Sequence, residues 1–183
     1  MSRIPYLVVE DTPDQMAKLL AHLPDLNVLK LMAHASGTFE AWLRFSQSLF
    51  IDLALDEKMR ELAILRVAHL TPGAEYERVQ HEAIAREIGL NPDQIAAARH
   101  AATADPDDEL VLSFTEQVVL NATPDDATFT ACADRFSSRE LIELLMVIGQ
   151  YMMLARVMAT AQIDVDHPTR LDRLVQTRKG VHD

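Results

Sequence analysis

Cys132 is the only cysteine among the 183 residues. An intrachain disulfide and a CxxC redox pair are therefore both excluded. Glycine is scarce at five residues, and with only eight prolines the composition argues against a loop-rich or disordered chain. There is no Gly-rich phosphate loop, no GxSxG elbow, no HExxH and no Glu-x-x-His. The sequence thus offers no motif for phosphate-loop, serine-hydrolase, zinc-protease or di-iron chemistry. A formal charge of −11 comes with no basic stripe, so nucleic acid is not expected as a partner. The longest apolar run, Leu144 to Gly149, stops at Gln150 and resumes with Tyr151 to Ala155. That is short of the ~20 residues of a membrane span. The start, MSRIPYLVVE, lacks the apolar stretch of a signal peptide. A cytoplasmic protein with no membrane partner is expected.

Strand signals are also missing, since no segment alternates apolar and polar residues over six or more positions between turns. With 49% apolar and 25% charged residues, one all-α domain is expected. Helix punctuation is dense. Thr12-Pro13-Asp14-Gln15 opens a helix to about Leu23, and a second region runs from about Val28 to Phe50 with a weak point at Ser36-Gly37. Asp56 caps a helix over 57–70, closed by Thr71-Pro72-Gly73, and the next covers 74–88 before Gly89. Asn91-Pro92, Asp105-Pro106, Thr123-Pro124 and Ser137 or Ser138 open the remaining helices, the last reaching about 162. After His167-Pro168 the chain turns polar.

Two of these helices are apolar nearly all round. In "DEKMRELAILRVAHL" only Arg60, Glu61, Arg66 and His69 interrupt the aliphatic residues, and the same pattern holds from Leu141 to Ala161. A helix without a polar face must be enclosed on every side, and one small domain encloses two such helices with difficulty. A homo-oligomer is expected, with an interface using some of Met146, Met152, Met153 and Met158. The alternative is that these methionines fill an intrachain core.

In "TPGAEYERVQHEAIA", positions Glu77, Gln80, His81, Ile84 and Ile88 share the stripe opposite Glu75, Arg78, Glu82 and Arg86. Burying a carboxylate there requires a partner, a proton or a wet cavity. His81, one turn from Glu77, supplies a partner, and a carboxylate beside an imidazole sets up proton transfer. The plain alternative is a structural Glu-His contact. Glu61, across the tight Pro-Gly turn, is placed either to approach His81 or to pair with Arg60, Arg66 or Arg156. Arg66 is placed either to hold an anionic substrate or to form a structural ion pair. His22, His34, His100, His167 and His182 lack nearby patterning and read as surface or satisfied residues.

The stretch "LDEKMRELAILRVAHLTPGAEYERVQHEAIAREIGLNPDQIAA" resembles the carboxymuconolactone decarboxylase family, which also contains the AhpD-like alkylhydroperoxidases. "FSSRELIELLMVIGQYMMLARVMATAQID" is similar to the family's closing helix. The resemblance spans about residues 37–163, leaving 1–36 as an N-terminal helical extension and 164–183 as a polar tail. It implies an AhpD-like helical bundle of about seven or eight helices, oligomeric as a trimer or higher, with a dimer also compatible. Set against the CxxCxxxH of the peroxidase branch, Ala74 and Glu77 stand at the cysteine positions, His81 at the histidine and Glu61 at the upstream acid. Both thiols are absent, whereas the decarboxylase branch needs none. The implied function is cofactor-free and metal-free acid-base chemistry on a small carboxylate or lactone. His81, Glu77 and Glu61 are then catalytic, and Tyr76, Gln80 and Arg66 are substrate contacts. A peroxidase-related role and a non-catalytic oligomeric scaffold are the alternatives.

Overall fold

The computed structural model describes residues 1–8, 12, 14–103 and 105–166. The expected N1 proline Pro13, His167, His182 and the tail from 167 onward lie outside the described residues. Among those described, the chain forms helices and no strand: α1 Asp14–Ala21, α2 Asn27–Met32, α3 Phe39–Ile51, α4 Glu57–Leu70, α5 Glu75–Glu87, α6 Pro92–His100, α7 Pro106–Asn121, α8 Asp126–Arg135 and α9 Ser138–Ala161.

Most boundaries sit where a side chain satisfies free N–H groups at a helix start. Asp56 accepts from the Lys58 and Met59 amides, Asp105 from Asp107 and Asp108, and Asn91–Gln94 and Ser137–Glu140 form reciprocal capping boxes. The region 28–50 is broken into α2 and α3 at the weak point Ser36-Gly37. One detail differs from the sequence reading. α8 is capped by Asp125, not Thr123, because the Asp125 carboxylate takes the Thr128 amide at 2.7 Å and a charged acceptor outcompetes a hydroxyl.

α4 is the central element, packed by α5, α6, α7 and α9. Every side chain from Arg60 to Ala68 is buried, so its lack of a polar face is accounted for within one chain. α9 differs. Leu144, Val147, Ile148, Leu154, Ala155 and Met158 face inward, while Ile142, Leu145, Met146 and Met153 stand exposed. Met158 is therefore a core residue, Met152 is half-buried, and only Met146 and Met153 of the four methionines belong to the outer face. By length and composition α9, with 24 residues, is long and apolar enough to cross a membrane, a point the interrupted apolar runs had obscured. In the fold, 56% of its apolar window is buried, as in a core helix.

The α4–α5 turn depends on Gly73. Its φ of +82° is one that L side chains rarely adopt, and an added Cβ would sit 3.2 Å from the Ala159 Cβ on α9. This close turn returns α5 antiparallel along α4, which brings Glu61 and His81 to the same level.

Candidate active site

Of the inward stripe of α5, Glu77, Gln80, His81 and Ile84 are buried and Ile88 is half-buried, while Tyr76 beside it is also covered. His81 lies between two carboxylates. Its Nδ1–H donates to Glu61 Oε2 at 2.6 Å, and Nε2 is 3.3 Å from Glu77 Oε2. Glu61, with no solvent exposure, accepts on its other oxygen from Arg60, at 3.1 Å from Nε and 3.0 Å from Nη2. The Arg60 guanidinium lies over the Phe50 ring, 4.7 Å from its centroid. Phe50 stacks on the imidazole at 6.4 Å, and Tyr151 of α9 meets it edge-on at 4.8 Å. The ring is thus fixed by a carboxylate on each nitrogen and an aromatic group on two sides.

Burial by itself would push the His81 pKa down, but the charge and hydrogen bond of Glu61, joined by Glu77, outweigh it and raise the pKa to about 9. Near neutral pH the ring is an imidazolium with two N–H donors. Arg60 balances Glu61, and His81 balances Glu77, so four buried ionic groups form a neutral cluster.

A cavity of about 610 Å³ opens beside this cluster, between α2, α3, α5 and α9. His81, Glu77 and Arg60 line it, and Leu26, Leu29, Trp42, Leu43 and Leu49 supply much of the apolar wall. Arg60 Nη1 makes no hydrogen bond among the described residues and is the cation available to an occupant. His22, read as a surface residue, also lines this cavity.

Tyr76 and Gln80 line the cavity too, but their polar groups are engaged elsewhere. The Tyr76 hydroxyl and Gln80 Nε2 both donate to Asp166, the latter at 3.1 Å, and the Asn27 amide donates to Asp166 at 3.1 Å. Burial and the Asp166 charge hold the Tyr76 hydroxyl well above its usual range, so it stays protonated as a donor. Asp166, in the stretch expected as a polar tail, is 3% exposed and ties the chain beyond α9 to α5 and α2. The sequence carries no local signal for it. Arg60 did have one, being a charge on an otherwise apolar helix, and was considered only as an ion-pair partner.

Arg66, expected as a substrate contact, is turned away. It lies about 140° around α4 from Glu61. There it donates to the Ala98 and Arg99 carbonyls at the end of α6, at 3.2 and 2.8 Å, and pairs with Glu116 at 2.6 Å. It is a structural cation on the far side of the central helix. Cys132 is fully buried on α8, and burial pushes its thiol up to about 11.

Residues 37–115 match the family model described as Carboxymuconolactone decarboxylase family. The matched segment contains Glu61, Glu77 and His81. That segment, less than half of the chain, is similar to the family. Solved structures agree at the level of fold. One similar structure is an uncharacterized peroxidase-related protein from Ralstonia eutropha JMP134 with an alkylhydroperoxidase AhpD core. It has TM-score 0.78 and 19% identity, covering 93% of this chain and 94% of that one. Another is an uncharacterized peroxidase-related protein from Silicibacter sp. TM1040, with TM-score 0.75 and 20% identity, covering 90% and 92%. A third is the debrominase Bmp8, as a cysteine-to-alanine variant in complex with 2,3,4-tribromopyrrole. Its TM-score is 0.70 at 18% identity, covering 94% and 99%. At these identities the likeness is one of AhpD-like architecture. No curated protein matches the chain.

Proposed function

We propose that this protein is a cofactor-free acid-base enzyme acting on a small, largely apolar carboxylate or lactone, with decarboxylation the reaction its site suits best. The observation that carries this reading is the Glu61–His81–Glu77 row at the wall of the 610 Å³ cavity. A charge-neutral cluster that holds an imidazolium beside an apolar hollow is a proton donor preorganised for a transition state that gains negative charge.

In that reaction Arg60 Nη1 takes one anionic group of the substrate, and the apolar wall holds its carbon skeleton. As the C–C bond to the departing carboxylate breaks, carbon dioxide leaves and the bonding pair passes into an adjacent carbonyl as an enolate. The Nε2–H of His81 then delivers a proton to the enolate carbon. Glu77, next to Nε2, passes a solvent proton back to the ring. Glu61 and Arg60 do not react; they fix the ring and keep it charged.

The thiol-based alternative is poorly supported, because Cys132 has no exposure, an unfavourable ionisation and no place in the cavity lining. We place the enzyme in a homo-oligomer joined through the outer face of α9. Ile142, Leu145, Met146 and Met153 recur there without an intervening charge, so a second copy of the same stripe is a self-complementary partner.

The reaction is tested by measuring carbon dioxide release from a panel of carboxylated lactones and β-keto acids. Wild-type turnover with a loss on the order of 10²-fold or more in His81→Gln is the expected result. No release from any panel member by folded protein, or full activity in His81→Gln, overturns the reading.

A further inference from the structure

We propose that the concavity between the end of α4, the outer face of α5 and α6 is a second ligand site, binding a small molecule that carries a phosphate or a pair of carboxylates. This depression of about 490 Å³ is lined by Arg78, Arg86, Arg99, His69 and Glu82, with Pro92 and Ile95 at its apolar side. Three arginines against Glu82 in the lining and Glu75 on the outer side of Arg78 leave an excess of one positive charge, on a chain whose net charge is −11. Such a concentration of one sign opposes the protein's own field and is what an anion would relieve.

The arginines are not equivalent. Glu82 uses one oxygen on Arg78 Nη1 at 3.1 Å and the other on Arg86 Nη2 at 3.0 Å, bracing the two guanidinium groups one on each side of it. Arg78 also reaches the exposed Glu75 at 3.4 Å. Arg99, from the end of α6, makes no ion pair among the described residues, so its donors are available. A guanidinium presents several N–H groups in one plane, and a dianion with two or three oxygens matches that arrangement where a chloride does not.

His69 reports on the site. It is half-buried, and burial holds its ring below the usual range. Arg78, Arg99 and Arg66 push the same way, and Glu82 opposes them. A dianion among these groups reverses the balance and favours the charged ring, so anion affinity and His69 protonation must rise together. The depression lies on the face of α5 opposite His81, and its residues take no part in the proposed reaction.

The test is to follow the His69 ring resonances by NMR in full-length protein, adding inorganic phosphate or succinate at millimolar concentration against a constant chloride background. The expected result is a saturable shift and an upward move of the His69 titration midpoint, both reduced at least tenfold in affinity in an Arg86→Gln/Arg99→Gln variant with unchanged circular dichroism. A response to phosphate alone assigns a phosphate ligand. A response to both anions assigns a ligand recognised through any dianionic group, and either supports the site. No saturable response to either anion, or a response that the double variant retains in full, overturns it.

Discussion

Nδ1 of His81 lies 2.6 Å from Oε2 of Glu61, and both side chains are buried. Burial alone would expel the charge, so the raised pKa of about 9 measures how strongly Glu61 and Glu77 oppose it. The ordinary value is about 6.5, so folding takes up a proton over the window between the two. The stabilisation is fully present below pH 6.5 and is lost as pH rises through about 9. Its size is roughly 3 kcal/mol. Urea denaturation between pH 6 and 9.5 should show stability falling with pH, with that component of the slope absent in His81→Gln.

Arg60 and Arg66 stand on the same helix with different assignments. Arg60→Met strips Glu61 of its neutralising partner beside the cavity. It should raise KM and cost about 3–5 kcal/mol, the usual penalty for an orphaned buried charge. Arg66→Met removes the pair with Glu116 and the cap on α6. It should lower Tm while leaving kcat/KM of the proposed reaction, per folded protein, within about twofold. Steady-state kinetics and thermal melts on both variants check the contrast, and equal kinetic effects would contradict the placement of the site.

Asp166 holds the chain beyond α9 against the candidate site. Asp166→Ala leaves the Tyr76 hydroxyl, the Gln80 amide and the Asn27 N–H without their acceptor. A loss of about 3 kcal/mol is expected. Hydrogen exchange should quicken in α2, Asn27–Met32, ahead of α4.

The outer stripe of α9 is the expected oligomer contact. Ile142→Asp with Met146→Asp places two charges where self-association needs hydrocarbon, without touching the buried face of the helix. Analytical ultracentrifugation should find an oligomer for the wild type and a monomer of near-native helicity for the double variant. An unchanged sedimentation coefficient removes this face from the assembly.

The helical architecture and the polar stripe were legible because both depend on local rules. Asp56, Asn91, Asp105 and Ser137 announce helix starts within a few residues, and 3.6-residue periodicity places Glu77, Gln80 and His81 on one inward face. Gly73 announces the tight turn, which is why Glu61 was expected near His81. What was not legible depends on contacts between distant segments. Phe50 and Tyr151 close on the imidazole from α3 and α9, and no pattern in either helix marks them. Asp166 carries no local signal at all, yet it occupies the donors of Tyr76 and Gln80 that had been assigned to substrate. Arg66 stayed open between a substrate contact and an ion pair because facing on a wholly buried helix cannot be read from hydrophobicity: every direction is inward, and only the positions of α6 and α7 turn it to Glu116.

The proposed proton relay is tested most directly by following the His81 ring through its titration by NMR, in wild type and in Glu61→Gln. The expected midpoint is near 9 in the wild type. It should fall by more than about one pH unit in the variant, where burial is no longer opposed by the Glu61 charge. A wild-type ring that titrates near the ordinary histidine value, or one that Glu61→Gln leaves unmoved, would contradict the coupling on which the proposed chemistry rests.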